Sequence, residues 1–304
     1  MKLPDYPFRP RRIQVRPGIA MSCLDEGPRD GETVLMLHGN PSWSYYWRHL
    51  VLGLRDDFRC IVPDHVGMGL SDKPDDAPDA APRYDYTLAS RIEDLDALLD
   101  ALGVDGPLIL AVHDWGGMIG LGWALRDPAN LARVRRLVVL NTATFPLPAG
   151  KPLPAALRFG RDSALAALLI RGANAFAAAA ARIGVARAMP PQVRRAYLAP
   201  YDSWAHRIAT LRFVQDIPLA EGDRAWPLVE EAGRRLHAFA DRPILIGWGL
   251  RDFVFDRRCL DVYRAAWPRA EVHAFEDADH YVLEDRHASL VPAIRRFLDR
   301  EPMR

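Results

Sequence analysis

Short apolar runs closed by turn residues recur along the chain: TVLMLHGNP from position 33, RCIVPDHVG from 59, LILAVHDWGG from 108, RLVVLNTATF from 136 and RPILIGWGLRD from 242. Such near-continuous runs suit strands of a parallel sheet buried on both faces, where no polar residue need alternate toward water. Between them lie stretches with helical spacing, such as RIEDLDALLDALG (91–103) and VPAIRRFLDR (291–300). The alternation predicts a doubly wound, mainly parallel α/β sheet of eight strands. The less regular IQVRPG and AMSCLDEG near the N-terminus are expected to make an antiparallel start.

From about Phe145 to Leu236 the strand pattern disappears, and the chain turns Ala-rich, Pro-punctuated and helical, as in PLPAALRFG, SALAALLIRGANAFAAAAARIG and PPQVRRAYLAPY. The expected organisation is therefore a first core part over 1–144, a helical cap over 145–236 inserted after the sixth strand, and a second core part over 237–304. Arg171, Arg182 and the glycines interrupt the alanine-rich section, and nowhere do 18 uncharged apolar residues run together, so no transmembrane helix is expected. A helix packed on the core, with an apolar face over a pocket, fits the pattern better.

Composition changes this picture little: 304 residues, 49% hydrophobic and 26% charged, suffice for one large core with an insertion. Charge narrows the function. Lys plus Arg number 40 against 39 Asp plus Glu, which leaves no global field to draw a polyanion, and nucleic-acid binding is not expected. Cys23, Cys60 and Cys259 are odd in number and lack CxxC spacing, which points to buried thiols in a reducing compartment and not to a disulfide frame or zinc site. The opening MKLPDYPFRPRR lacks the apolar stretch of a signal peptide, so the cytoplasm is the expected location. There is no GxxxxGK[ST] loop, full dinucleotide fingerprint or His/Cys cluster with ligand spacing, and no cofactor or metal is expected.

Candidate chemistry concentrates at strand ends. VHDWGG (112–117) lies between the strand LILAV and the helical MIGLGWALR. Small residues around a central nucleophile let the chain turn sharply from strand to helix and leave that side chain exposed above the sheet. Here the central residue is Asp114, which could also simply cap the following helix. Two features favour the nucleophile. Asp252 in GWGLRDFVF and then His280 in EDADHYVLED follow the elbow, the chain order nucleophile, acid, histidine used by α/β-hydrolases. HGNPSWSYYWR (38–48) ends the third strand in a tight turn able to point N–H groups at an oxyanion, the other half of the hole coming from Trp115. Asn40 and Trp115 also offer side-chain N–H donors toward Asp114, although Asn40 could be a plain turn residue and Trp115 a core aromatic.

HGNP, PDHVGMGLSDKP (63–74), HDWGG, GLRDFVF and DADHYVLED together resemble the haloalkane dehalogenase family over nearly the whole chain. Within it HGNPSWSYYWR, HDWGGMIGLGWA, YDSWAHRIATLRFVQDIP and GWGLRDFVFD are most similar to the β-lactone decarboxylases of bacterial long-chain olefin biosynthesis, which share that scaffold. The resemblance implies an α/β-hydrolase fold with nucleophile Asp114, acid Asp252 and base His280, and with Asn40 and Trp115 as oxyanion or leaving-group donors. It implies no cofactor and a hydrophobic small-molecule substrate, a cis-3,4-dialkyl β-lactone (oxetan-2-one) fragmented to a cis-alkene and carbon dioxide. It also implies association with a thiolase-like enzyme and a β-lactone synthetase of the olefin pathway. An acid directly after the sixth strand, the other dehalogenase arrangement, is not supported, because that position is Asn141. One departure is Asp279, where relatives commonly have glycine; near the imidazole it would raise the His280 pKa.

A carboxylate suits this chemistry because it is ionised at pH 7 and forms an alkyl ester that can be cleaved, whereas a serine would end as an ether. Three alternatives stay open. Haloalkane hydrolysis would use the same residues, with His280 activating water. Epoxide opening would need acid donors, for which Tyr197 and Tyr201 lie in the right segment. A catalytically idle member would serve only as a scaffold or receptor. Which β-lactone carbon Asp114 attacks is open too, and the two alkyl arms call for a cleft between core and cap, lined by Trp43, Trp47 or cap side chains.

Overall fold

A computed structural model describes residues 3–300. Eight strands form one sheet in the order β1 (Arg11–Arg16), β2 (Ile19–Glu26), β4 (Arg59–Pro63), β3 (Thr33–Leu37), β5 (Leu108–His113), β6 (Val134–Leu140), β7 (Ile244–Gly249) and β8 (Glu271–Phe275). β1 and β2 are antiparallel to their neighbours, and β4 through β8 run parallel. The five apolar runs are β3 to β7. β8 does not stand out as an apolar run, because EVHAF sits at the sheet edge and is only partly buried.

The side chains of the central strands part to the two faces as the pleat requires. Leu108, Leu110 and Val112 of β5 enter one hydrophobic cluster, while Ile109 and Ala111 enter the other; β6 divides in the same way, Leu137 and Val139 against Val138 and Leu140. Burial on both faces explains why these strands show no polar alternation. Helices cover the faces: α1 (Arg48–Leu54), α2 (Leu88–Ala101), α3 (Trp115–Arg126), α4 (Pro128–Arg133) and, late in the chain, α11 (Arg257–Ala266) and α12 (Val282–Arg300). Thr87 and Ser90 start α2 with a reciprocal capping box.

Between β6 and β7 the chain forms α5 (Ala155–Asp162), α6 (Ala164–Ala173), α7 (Ala175–Ile183), α8 (Pro191–Leu198), α9 (Ile208–Gln215) and α10 (Trp226–Arg234). The alanine-rich section breaks at Asn174, which adopts φ 54°, so two helices meet there at 80°. No single helix among the described residues is long and apolar enough to cross a membrane.

Because β4 lies on one side of β3 and β5 on the other, the order in which strands are added reverses at β3, and a crevice opens at their carboxyl ends. Both HGNP and Asp114 emerge there, since Leu37 pairs with Val112. A buried ion pair fastens the surroundings of this crevice. Arg48, which opens α1 just after the HGNP turn, grips Glu284 of α12 with both terminal nitrogens, and Tyr197 of α8 donates to the same carboxylate at 2.6 Å. Burial works against the Glu284 charge, yet the Arg48 bonds and charge hold its pKa below the ordinary value.

Removing Glu284 strands a buried guanidinium, so Glu284→Ala should lower the unfolding free energy by about 3–5 kcal/mol in urea titrations. The depressed pKa fixes the sign of the pH dependence. The wild-type contribution is complete above the unfolded carboxyl pKa and disappears as pH falls below it. The gap between wild type and Glu284→Ala should therefore narrow in acid, and a gap independent of pH would contradict the pairing.

Candidate active site

Asp114 stands on the turn between β5 and α3 with φ 51° and ψ −127°. A non-glycine residue keeps such a backbone only where its surroundings over-determine it, as in a nucleophile elbow. They do so here by crowding. A Cβ on Gly39 would meet the Asp114 Oδ1 at 2.0 Å, and one on Gly116 would meet the Leu37 carbonyl oxygen at the same distance. The Asp114 side chain makes no N-cap bond to the second or third N–H of α3, so the capping alternative fails. Oδ1 instead accepts the Asn40 backbone N–H at 2.7 Å, and the Trp115 N–H serves the same carboxylate. Burial pushes the Asp114 pKa up, against the opposing influence of His280 and these two N–H groups.

The imidazole of His280 faces Asp114, with Nε2 3.8 Å from Oδ2, and its Nδ1 lies 2.9 Å from Asp252 Oδ2. Asp252 follows β7 and is fixed on every side. Its Oδ1 accepts the backbone N–H groups of Val254 (2.7 Å) and Phe255 (3.0 Å), and Oδ2 accepts Asn141 Nδ2 (3.0 Å) as well as the imidazole. For His280, burial favours the neutral ring, but the Asp252 charge and hydrogen bond, then Asp114 and Asp279, override it and raise the pKa to about 9. Asp279 turns its carboxylate back to accept the His280 backbone N–H at 2.7 Å; burial first, then Asp252, lift its own pKa to about 6.

Asn40 departs from expectation in one respect. Its backbone N–H, not its side chain, reaches Asp114, and Nδ2 donates to the Thr210 carbonyl at 3.1 Å. The amide has a second N–H beyond that bond, and the residue lines the cleft beside Trp115. Trp43 and Trp47 are corrected outright. Both are fully buried in the cluster beneath α1, and neither lines the cleft; Trp43 borders a separate depression with Leu70 and Arg195. Tyr197 and Tyr201 also stay out of it, donating to Glu284 and to the Ser42 carbonyl.

The cleft above Asp114 encloses about 1150 Å³ of non-atom space, its mouth included. Asn40, Asp114, Trp115 and His280 gather at its base, and the walls are apolar, including Leu157, Phe176, Ile183, Ile217 and Phe253. Asn141 was noticed in the sequence only as a missing acid, and Thr142 and His113 carried no signal. In the fold Asn141 steadies Asp252, Thr142 Oγ1 donates to the Asp114 carbonyl, and His113 donates to the His280 carbonyl at 2.9 Å. Among the described residues no group of three or more His, Cys, Asp or Glu is arranged to hold a metal ion.

A strand-to-helix elbow bearing a carboxylate, with N–H donors from two loops and a histidine held by a second carboxylate, is the site of an α/β-hydrolase-type enzyme with an acid in the nucleophile's place. The chain belongs to the α/β-hydrolase fold family, whose model matches residues 32–287. It is 63% identical, over the full length of both chains, to a cis-3-alkyl-4-alkyloxetan-2-one decarboxylase of Xanthomonas campestris pv. campestris. A protein of the same name from Shewanella oneidensis is 52% identical over 96% of this chain and 89% of its own. A haloalkane dehalogenase of Mycolicibacterium paratuberculosis is 30% identical over 96% and 93%. Among solved structures, an ancestral haloalkane dehalogenase superposes with a TM-score of 0.84 at 26% identity, covering 95% of this chain and 98% of its own.

Replacing Asp252 with Asn keeps the shape but removes the charge that orients and supports the imidazole. Turnover should fall by roughly three to four orders of magnitude with an unchanged circular dichroism spectrum. Undiminished turnover would assign the orienting role to another acid.

Proposed function

We propose that this enzyme fragments cis-3,4-dialkyl oxetan-2-ones to cis-alkenes and carbon dioxide, with Asp114 as nucleophile. The observation that carries this reading is the identity of 63% over both whole chains to a relative named for that activity, against 30% for the dehalogenase relative. The cleft agrees with it, because four polar residues at the base suit a small ring while apolar walls suit two alkyl arms. Tyrosines that point away from the cleft lend nothing to epoxide opening.

The bonds balance without water. Asp114 attacks the sp3 ring carbon bearing the ring oxygen, the C–O bond breaks, and the ring opens to an alkyl ester on Asp114 with a free carboxylate. Asn40 and Trp115 receive that carboxylate. Loss of carbon dioxide then sends the C–C electron pair into the new double bond and expels Asp114 as its carboxylate. Inversion in the first step and anti departure in the second keep the two alkyl groups on one side, which gives the cis-alkene. His280, raised to about 9, is an imidazolium at neutral pH. It cannot deprotonate water in that state, which hinders ester hydrolysis, but its charge beside Asp114 stabilises the anion released in the second step. In this reading Asp252 and Asp279 maintain the charge of His280.

The same reading places the protein after enzymes that condense acyl chains and close the lactone, and a thiolase-like enzyme and a β-lactone synthetase are the partners it would meet in olefin biosynthesis. Three free, buried cysteines support a cytoplasmic setting.

Gas chromatography after incubation with a cis-β-lactone should show the cis-alkene, far faster than bromide appears from a bromoalkane, and Asp114→Ala should abolish it. Rapid bromide release with the lactone intact would make this a dehalogenase. Because the imidazolium is the working form, turnover should decline as pH rises through about 9. A rate that climbs across that range would instead identify neutral His280 as a base.

A further inference from the structure

Helices α5 to α8 carry a surface unlike the rest of the molecule. α6 buries Ala166 and Ile170 and turns Leu165, Leu168 and Leu169 outward, 58%, 56% and 42% exposed. Their i, i+3, i+4 spacing makes one stripe. Trp204, also half exposed, lies beside Gly172 at the end of this helix, with the Arg171 guanidinium 4.6 Å from its ring centre. Phe159 of α5 and Ile183 of α7 are exposed as well. Exposed apolar groups gathered in this way mark an interaction surface.

Charge says which kind. Between Ala155 and Leu198 seven arginines stand against one acid, Asp162. The whole segment 145–236 holds 13 Lys and Arg against 7 Asp and Glu, although the chain as a whole is nearly neutral. The flanking helices α5 and α7 also line the cleft through Ala156, Ala179 and Ile183, all three exposed, so its rim lies on the same group of helices.

We infer that the outward face of α6 docks on the surface of an anionic lipid bilayer, its leucines among the upper acyl chains and the cap arginines at the phosphates. A second copy of the chain would set arginine cluster against arginine cluster. A bilayer supplies both an apolar layer for the exposed leucines and an anionic one for the arginine-rich helices around them. The helices lie on such a surface and do not span it, since α6 and α7 are each short and meet at 80°. Docking would bring the cleft rim toward the phase in which a molecule with long alkyl arms dissolves, and it does not require the decarboxylation.

The test is flotation of the full chain with vesicles of phosphatidylcholine and phosphatidylglycerol in equal parts, beside vesicles of phosphatidylcholine alone. The protein should float with the anionic vesicles at low salt, far less with the neutral ones, and less as salt rises. Replacing Leu165, Leu168 and Leu169 together by Gln should cut anionic-vesicle binding at least about tenfold while leaving turnover of a short, water-soluble cis-β-lactone unchanged. Arg158→Glu with Arg187→Glu, which leaves the stripe intact, should weaken flotation as well. Failure of the wild type to float with anionic vesicles at low salt, or equal flotation by both variants, would overturn the inference. So would a dimer in sedimentation equilibrium that the Gln variant abolishes, because a second copy would then be the occupant.

Discussion

The turn at Asp114 is the constraint from which the rest of the site follows. A side chain held at φ 51° between a strand and a helix must be surrounded by groups with no room to relax it. Gly39 and Gly116 provide this through backbone contact, since a Cβ on either would fall 2.0 Å from the elbow carboxylate or from the end of β3. The same crowding puts the N–H of Asn40 on Asp114 and the HGNP turn over it. The Asp114 carboxylate and the N–H groups beside it are thus positioned by one steric arrangement, at the ends of central strands that are buried on both faces.

Electrostatics divide the labour among the carboxylates around one imidazole. Asp252 accepts four hydrogen bonds and serves as a fixed negative charge, Asp114 is free enough to react, and Asp279 bonds the His280 backbone while adding charge nearby. Their joint effect outweighs the burial that would neutralise His280. A histidine held charged at neutral pH suits a fragmentation that consumes no water and is ill suited to a hydrolysis that needs a base.

The helices between β6 and β7 close the cleft with apolar walls and carry on their outer side a cationic, apolar surface. Arg48, Glu284 and Tyr197 join them to the core beside the site. The polar groups of the site sit at the strand ends, where rigid elements fix them, while the helices above supply most of the apolar wall of the cleft.

The sequence by itself determined the buried strands, the elbow and the order Asp114, Asp252, His280, because aliphatic runs and small-residue turns report local burial and local backbone geometry directly. It also located the helical stretch between β6 and β7, where apolar runs give way to alanine-rich spacing. Only the tertiary structure decided who neighbours whom. Asn141 and Asp252 are 111 residues apart and meet because β6 and β7 are adjacent, and the Asn40 amide turns to Thr210 because α9 lies over the HGNP turn. Trp43 and Trp47 vanish into the core, although an aromatic after a catalytic turn reads equally well as a pocket wall. β8 escaped notice because an edge strand covered on part of its surface has no apolar signature. Pattern along a chain measures how much each residue is buried, whereas the partner it is buried against depends on strand order and helix placement, which no local pattern encodes.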